Sequence, residues 1–323
     1  MIAWEKFKKN IFENKLVVSG DKILLAVSGG ADSMVMTSLF CMLKKIIDIE
    51  LVVVNFNHKL RKASVKEAVI VKNFASDLKI ECILKELNTK NYAVQQNISV
   101  ETAGRKLRYL ELEKVAKCYK CNKIATAHNM NDNAETVLMW LLRGTGTEGL
   151  EGIPSIRIID KNLSVIRPLL PISRSLIEDF AKQKNIKFCT DKTNFKCDYT
   201  RNKIRLNLIP QLKKINPSVV EHIYNLSCIV KDENSYFKNK IKSFISKNVR
   251  ISNAKILVDL KAFCKQEKLF QYKILKEILP DKKRAIHINN IIFWLKKGET
   301  KTYALSKNWT AKKNKNKLSF INI

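Results

Sequence analysis

"LLAVSGGADSMVM", residues 24–36, sets an apolar run directly against Ser-Gly-Gly, then one carboxylate, one hydroxyl and a second apolar run. A buried strand that stops on two glycines and reopens as a helix suits an anion. The glycines let the backbone turn tightly and bring its N–H groups close to a ligand. The helix that follows points its positive end at the same place. Ser28, Gly29, Gly30, Ala31, Asp32 and Ser33 are therefore the candidate phosphate loop, with the two serines as further hydroxyl donors. The Gly-Lys-Ser/Thr ending of a Walker A loop is absent, and so is Gly-x-Gly-x-x-Gly. Asp32 would repel a bare phosphate, which implies a bridging Mg²⁺ or a reacting nucleotide.

Outward from that loop, short β-rich runs alternate with helical patterns. Strands are expected at 22–28, 50–56, 80–87 and 123–128, with two shorter ones at 157–159 and 164–167. Helices are expected at 32–46, 64–79, 99–118 and 132–142, and at 173–185 with Ser173 as N-cap. The alternation predicts an α/β fold, a Rossmann-like parallel sheet with helices on both faces. A second regime starts near Asn216-Pro217, a good cap and first-turn pair that opens a long amphipathic helix. Shorter helices follow near 258–278 and 285–296, and the alternating C-terminal stretch suggests a small hairpin. The expected organisation is a catalytic domain over 1–215 and a smaller, mainly helical domain over 216–323 that ends in a short β-hairpin.

Composition narrows the partners. The 323 residues hold 60 Lys and Arg against 30 Asp and Glu, a formal charge of +30. Such an excess favours a polyanion, either nucleic acid or an acidic membrane surface. No apolar run reaches the roughly 18 residues of a spanning helix, and the N-terminus has no signal-peptide core. The eight cysteines are scattered along the chain, which reads as reduced thiols in a cytoplasmic protein.

A second constellation lies in "ATAHNMNDNAETVLMWLLRGTG", residues 125–146. His128 closes a strand, Asn131 is the expected cap of the next helix, and Asp132 and Glu135 stand at i, i+3 on one face of it. In a parallel sheet, ligands gather at the carboxyl ends of strands. That edge unites His128 with Asp32.

"SGGADS" (28–33) resembles the pyrophosphate-loop signature of the N-type ATP pyrophosphatases, the PP-loop superfamily. Within it, "NFNHKLR" (55–61), "VETAGRKLRY" (100–109), "AHNMNDNAETVLMWLLRGTG" (127–146), "RPLLPISR" (167–174) and "TRNKIRLNLIP" (200–210) are similar to the tRNA(Ile)-lysidine synthase family. The resemblance implies ligation of free L-lysine to C2 of the wobble cytidine in the CAU anticodon of tRNA(Ile), through an adenylated cytidine. It implies ATP as substrate, with Mg²⁺ carried by Asp32. Asp32, Arg108, His128, Asp132 and Glu135 become the expected catalytic set, the acidic pair facing lysine. Arg201, Lys203 and Arg205 become expected tRNA backbone contacts, with the basic second domain holding the tRNA body. Asn129 stands where the family commonly has a second histidine. Longer members carry a further C-terminal domain, so acceptor-stem recognition is expected to be reduced or arranged differently here. The oligomeric state stays open, a homodimer among the options.

The nearest rival is a PP-loop tRNA cytidine thiolase, which "CYKC" (Cys118, Cys121) brings to mind. In thiolases the pair precedes the Arg/Tyr-containing helix, whereas here it follows "GRKLRY". An idle RNA-binding protein would not need Asp32, His128, Asp132 and Glu135. An amide-forming relative acting on a small metabolite would not need the basic second domain.

Overall fold

A computed structural model describes residues 1–57, 64–189, 200–252, 254–279, 285–297, 301–306 and 309–322. Part of "NFNHKLR" lies outside the described residues. The chain forms two compact units, Met1–Val230 and Lys231–Ile323. The division into units falls inside the helix Val219–Asn248. The cause is packing. Val220, Ile223 and Tyr224 join Met130, Ala134 and Leu138 in one apolar cluster, which draws the first turns of that helix into the first unit.

The first unit is built on β1 (Lys22–Ala26), β2 (Glu50–Asn57), β3 (Glu81–Glu86), β4 (Lys123–Ala125), β5 (Ile156–Asp160) and β6 (Leu163–Ile166), in the spatial order β3-β2-β1-β4-β6-β5. All pairings are parallel except β5 with β6. Alternation along β1 explains the two cores. Ile23 and Leu25 face a layer that includes helices 2–13, 31–43 and 174–183, through Phe7, Leu39, Phe40 and Phe180. Leu24 faces the other way, with Val52, Val54, Ile124 and the helix Val100–Cys118 through Leu112 and Val115. Parallel strands buried on both faces read as continuous apolar runs, as these do. Ser173 caps helix 174–183 by accepting the Leu176 N–H. Among the described residues no helix is long and apolar enough to cross a membrane.

The second unit carries more sheet than a terminal hairpin. The expected hairpin is there as β9 (Thr302–Ser306) and β10 (Trp309–Lys313). It continues through β11 (Lys317–Asn322) to β8 (Lys255–Asp259) and β7 (Val249–Ile251), a five-stranded antiparallel sheet. Phe263, Ile274, Leu275, Ile288, Ile291, Leu318 and Phe320 fill its core. Lys255 pairs with Ile321 across most of the unit, and local alternation gives no sign of a partner that distant.

Candidate active site

Strand order reverses between β1 and β4, the place where open α/β sheets bind ligands. The loop after β1 lies there. Gly29 turns at φ +86°, a conformation that side chains rarely adopt. The Ser33 hydroxyl accepts the Ser28 N–H at 3.1 Å and donates to the Gly30 carbonyl at 2.9 Å, so it braces the loop from within. Asn55 at the end of β2 donates to the Val27 carbonyl at 2.8 Å. The helix Ala31–Leu43 opens at Gly30 without a side-chain cap, which leaves its first N–H groups aimed at the loop's mouth.

The helix Met130–Arg143 starts beside that loop. Its cap is Asn129 rather than Asn131. The Asn129 backbone is extended, and its side chain accepts the N–H groups of Asn131 and Asp132 at 2.9 and 3.1 Å. The Asp132 carboxylate returns the contact to the Asn129 N–H at 3.1 Å, closing a capping box. Asn131 instead accepts the Arg174 N–H at 2.9 Å, which fastens "RPLLPISR" onto this helix start.

Asp32 is gripped from two sides. Asn129 Nδ2 donates to its Oδ1 at 3.0 Å, and the Arg174 guanidinium pairs with its Oδ2. Burial pushes the Asp32 pKa up, and the neighbouring Asp132 adds to this, against the pull of Arg174 and Asn129. Mg²⁺ dehydrates reluctantly and is held through one or two carboxylates plus substrate phosphates. Asp32 offers one carboxylate of that kind at the loop's mouth.

Asp132 and Glu135 share a face, as their spacing demands, and both meet arginine. Arg201 donates to Glu135 at 2.8 Å and reaches Asp132 at 3.4 Å. Arg205 donates to Glu135 at 2.5 and 3.0 Å and to Asp132 at 2.9 Å. Burial works against the Arg205 charge, but the hydrogen bond to Glu135 and the two carboxylates outweigh it and push its pKa up. Glu135 is 1% exposed, so these arginines are the hydrogen-bonding partners that a buried carboxylate needs. The segment comes into reach because Ile204 and Ile209 dock on Met130, Ala134 and Leu138. A π-turn over Ile204–Leu208 follows the short helix Thr200–Lys203, and such turns are frequent at functional sites. Of the three cations expected on the tRNA backbone, two therefore sit in the acidic pair, and Lys203 is exposed.

His128 follows β4 and bonds through Nδ1 to Thr126 Oγ1 at 3.0 Å. Burial pushes its pKa down to about 4; Asp132 opposes this, and Arg167, Arg201 and Arg105 add to it. The imidazole is neutral at physiological pH. Arg108 is exposed on the helix Val100–Cys118, next to Tyr109. The Cys118–Cys121 pair lies at the far end of the sheet, just before β4 begins. Burial pushes the Cys121 thiol up to about 11.

Asn129 and Arg174 are the residues that sequence reasoning left without a role at Asp32. The Asn-x-x-Asp spacing before an apolar run was a readable sign of the cap; the bond to Asp32 had none.

Residues 3–212 match the PP-loop domain family. The tRNA(Ile)-lysidine synthase of Thermosipho africanus is 43% identical over 236 residues, 71% of this chain and 54% of that protein. That of Clostridioides difficile is 37% identical, over 75% of this chain and 52% of the relative. That of Petrotoga mobilis is 36% identical, over 76% of this chain and 79% of the relative. The chain thus spans about half the length of the first two relatives and most of the third. Among solved structures, the tRNA thiolase NcsA from Methanococcus maripaludis, with its iron–sulfur cluster, superposes with a TM-score of 0.60 at 20% identity. The match covers 71% of this chain and 78% of that one, a likeness of fold.

Proposed function

The chain belongs to the tRNA(Ile)-lysidine synthase family of PP-loop proteins, and from that premise we propose that it joins free L-lysine to C2 of the wobble cytidine in a CAU anticodon of tRNA(Ile). The observation that carries this reading is the meeting of Asp32, His128, Asp132 and Glu135 at the strand-order reversal beside a pyrophosphate loop. An unactivated C2 carbonyl oxygen is a poor leaving group. In the first step that oxygen attacks the α-phosphorus of ATP, AMP is transferred to it, and pyrophosphate leaves. In the second, the lysine side-chain amine attacks C2, the C–O bond breaks, AMP departs and the amine gives up a proton.

The Ser28–Ser33 loop holds the phosphates through its backbone N–H groups. Mg²⁺ arriving with ATP would be held by Asp32, where it offsets phosphate charge; Arg174 then yields one carboxylate oxygen. Arg108 supplies positive charge toward the transferring phosphoryl group. His128, neutral, accepts or donates a hydrogen bond without adding charge. Lysine enters as an ammonium and meets carboxylates already bonded to arginine. It exchanges with Arg201 at Asp132, the longest contact of the set at 3.4 Å, and passes a proton to the acidic pair before attack. Lys203 contacts tRNA phosphate from the exposed side of the same segment.

The test is incorporation of labelled lysine into tRNA transcripts with ATP and Mg²⁺. One transcript carries the CAU anticodon in an isoleucine-type body and the other in a methionine-type body. Label on the first alone is expected. Pyrophosphate release without label on either would overturn lysine as the cosubstrate.

A further inference from the structure

Two arginines of the expected RNA contact are occupied by carboxylates, yet a second group of arginines on the same unit has no carboxylate partner among the described residues. Tyr109, on the helix Val100–Cys118, has the Arg157 guanidinium 4.6 Å from its ring centroid and that of Arg105 at 5.7 Å. Arg167 lies close enough for Tyr109 to act on the Arg167 charge. Arg105 and Tyr109 stand at i, i+4 on the helix, so they share a face. Arg157 is exposed on the edge strand β5, and Arg167 follows the carboxyl end of β6 directly.

Arg167 is the informative member. It is 4% exposed, and its Nη1 is held by the Pro154 carbonyl at 2.6 Å. Its Nε is buried with no hydrogen-bond partner among the described residues. A buried donor left unmatched is costly, and a charged one more so. Burial pushes the Arg167 pKa down, Arg157 and Arg105 add to this, and Tyr109 pulls the other way. Among the described residues no carboxylate pairs with Arg105, Arg157 or Arg167. Three guanidinium groups therefore converge on one tyrosine with no carboxylate of the described residues paired to them, in an arrangement that an anion would complete.

We propose that Arg105, Arg157 and Arg167, gathered around Tyr109, form the docking site for an RNA backbone phosphate close to the reacting base. The position distinguishes this anion from the phosphates of ATP. The pyrophosphate loop lies at the end of β1, whereas Arg167 and Arg157 belong to β6 and β5, beyond β4. Guanidinium forks match phosphate oxygens, and arginine stacked on an aromatic ring gives a flat surface of the kind that single-stranded RNA uses. The site rests on the tRNA reading above and gives that substrate a backbone contact that Arg201 and Arg205 do not provide.

The experiment is equilibrium binding of the isoleucine-type CAU transcript to the full chain, titrated from about 50 to 200 mM salt. Wild type is compared with Arg105→Gln/Arg157→Gln, and with Lys161→Gln as an exposed charge control on the same edge. Both arginines are exposed, and an unfolding curve checks that the double variant folds. The expected result is roughly tenfold weaker binding and a log–log salt slope shallower by about 0.7–1. ATP affinity without RNA and the control stay unchanged. An unaltered slope and affinity in the double variant would overturn the site. A loss of ATP affinity instead would assign the cluster to nucleotide phosphates and overturn it as well. Wild type that binds no RNA at any salt would sink the tRNA reading itself, and this site with it.

Discussion

Two groups of arginines stand near one edge of the mostly parallel sheet, and they are held in opposite ways. Arg174, Arg201 and Arg205 are paired with Asp32, Asp132 and Glu135. Arg105, Arg157 and Arg167 have an aromatic ring, a carbonyl and each other. The first group is neutralised within the fold and shapes the acidic site. The second has no carboxylate partner among the described residues and, on the proposal above, meets an RNA phosphate. A net charge of +30 says nothing of this division; the partner of each guanidinium decides it.

The largest expected effect tests that division directly. Arg201→Ala/Arg205→Ala leaves Glu135, 1% exposed, without its donors. A buried ion pair broken on one side costs about 3–5 kcal/mol, whereas loss of the exposed Arg105 and Arg157 is predicted to cost less than about 1 kcal/mol. Denaturant unfolding of the two double variants checks this, and equal losses would break the comparison.

Asn129 sharpens it at the next scale. Asn129→Ala removes a helix cap and the bond to Asp32 together. The predicted destabilisation is about 1–2 kcal/mol by the same measurement. A value indistinguishable from wild type would mean that Arg174 alone positions Asp32.

His128 lies in the fields of both groups, through Arg167 and Arg105 on one side and Arg201 on the other. Its folded pKa of about 4 lies below its ordinary value, so the unfolded chain binds a proton that the folded chain refuses. Its contribution to stability is present above about pH 6.5 and is lost as pH falls toward 4, by at most about 1.4 kcal/mol per unit. His128→Asn is predicted to remove that component from the stability profile between pH 6.5 and 5. A profile with the wild-type slope in the variant would assign the pH dependence elsewhere.

The sequence by itself determined the alternation of strands and helices, the pyrophosphate loop and the placement of Asp132 and Glu135 on one face. These depend on local periodicity, glycine freedom and helical spacing, which neighbouring residues express in full. It also determined the family, because "SGGADS", "GRKLRY" and "AHNMNDNAET" carry their chemistry in consecutive residues. Only the tertiary structure decided the partners. Asn129 reaches Asp32 from 97 residues away, and Arg205 reaches Glu135 from 70. Neither pairing leaves a local mark, since an arginine in "TRNKIR" reads the same whether it faces solvent or a carboxylate. The five-stranded sheet of the second unit follows the same rule, because the pairing of β8 with β11 depends on the return of a distant strand. The Cys118–Cys121 pair shows the converse. Its spacing invited a cluster, and its position at the amino end of β4 put it away from the site. Spacing along the chain sets what a residue can do, and the packing of distant elements sets what it meets.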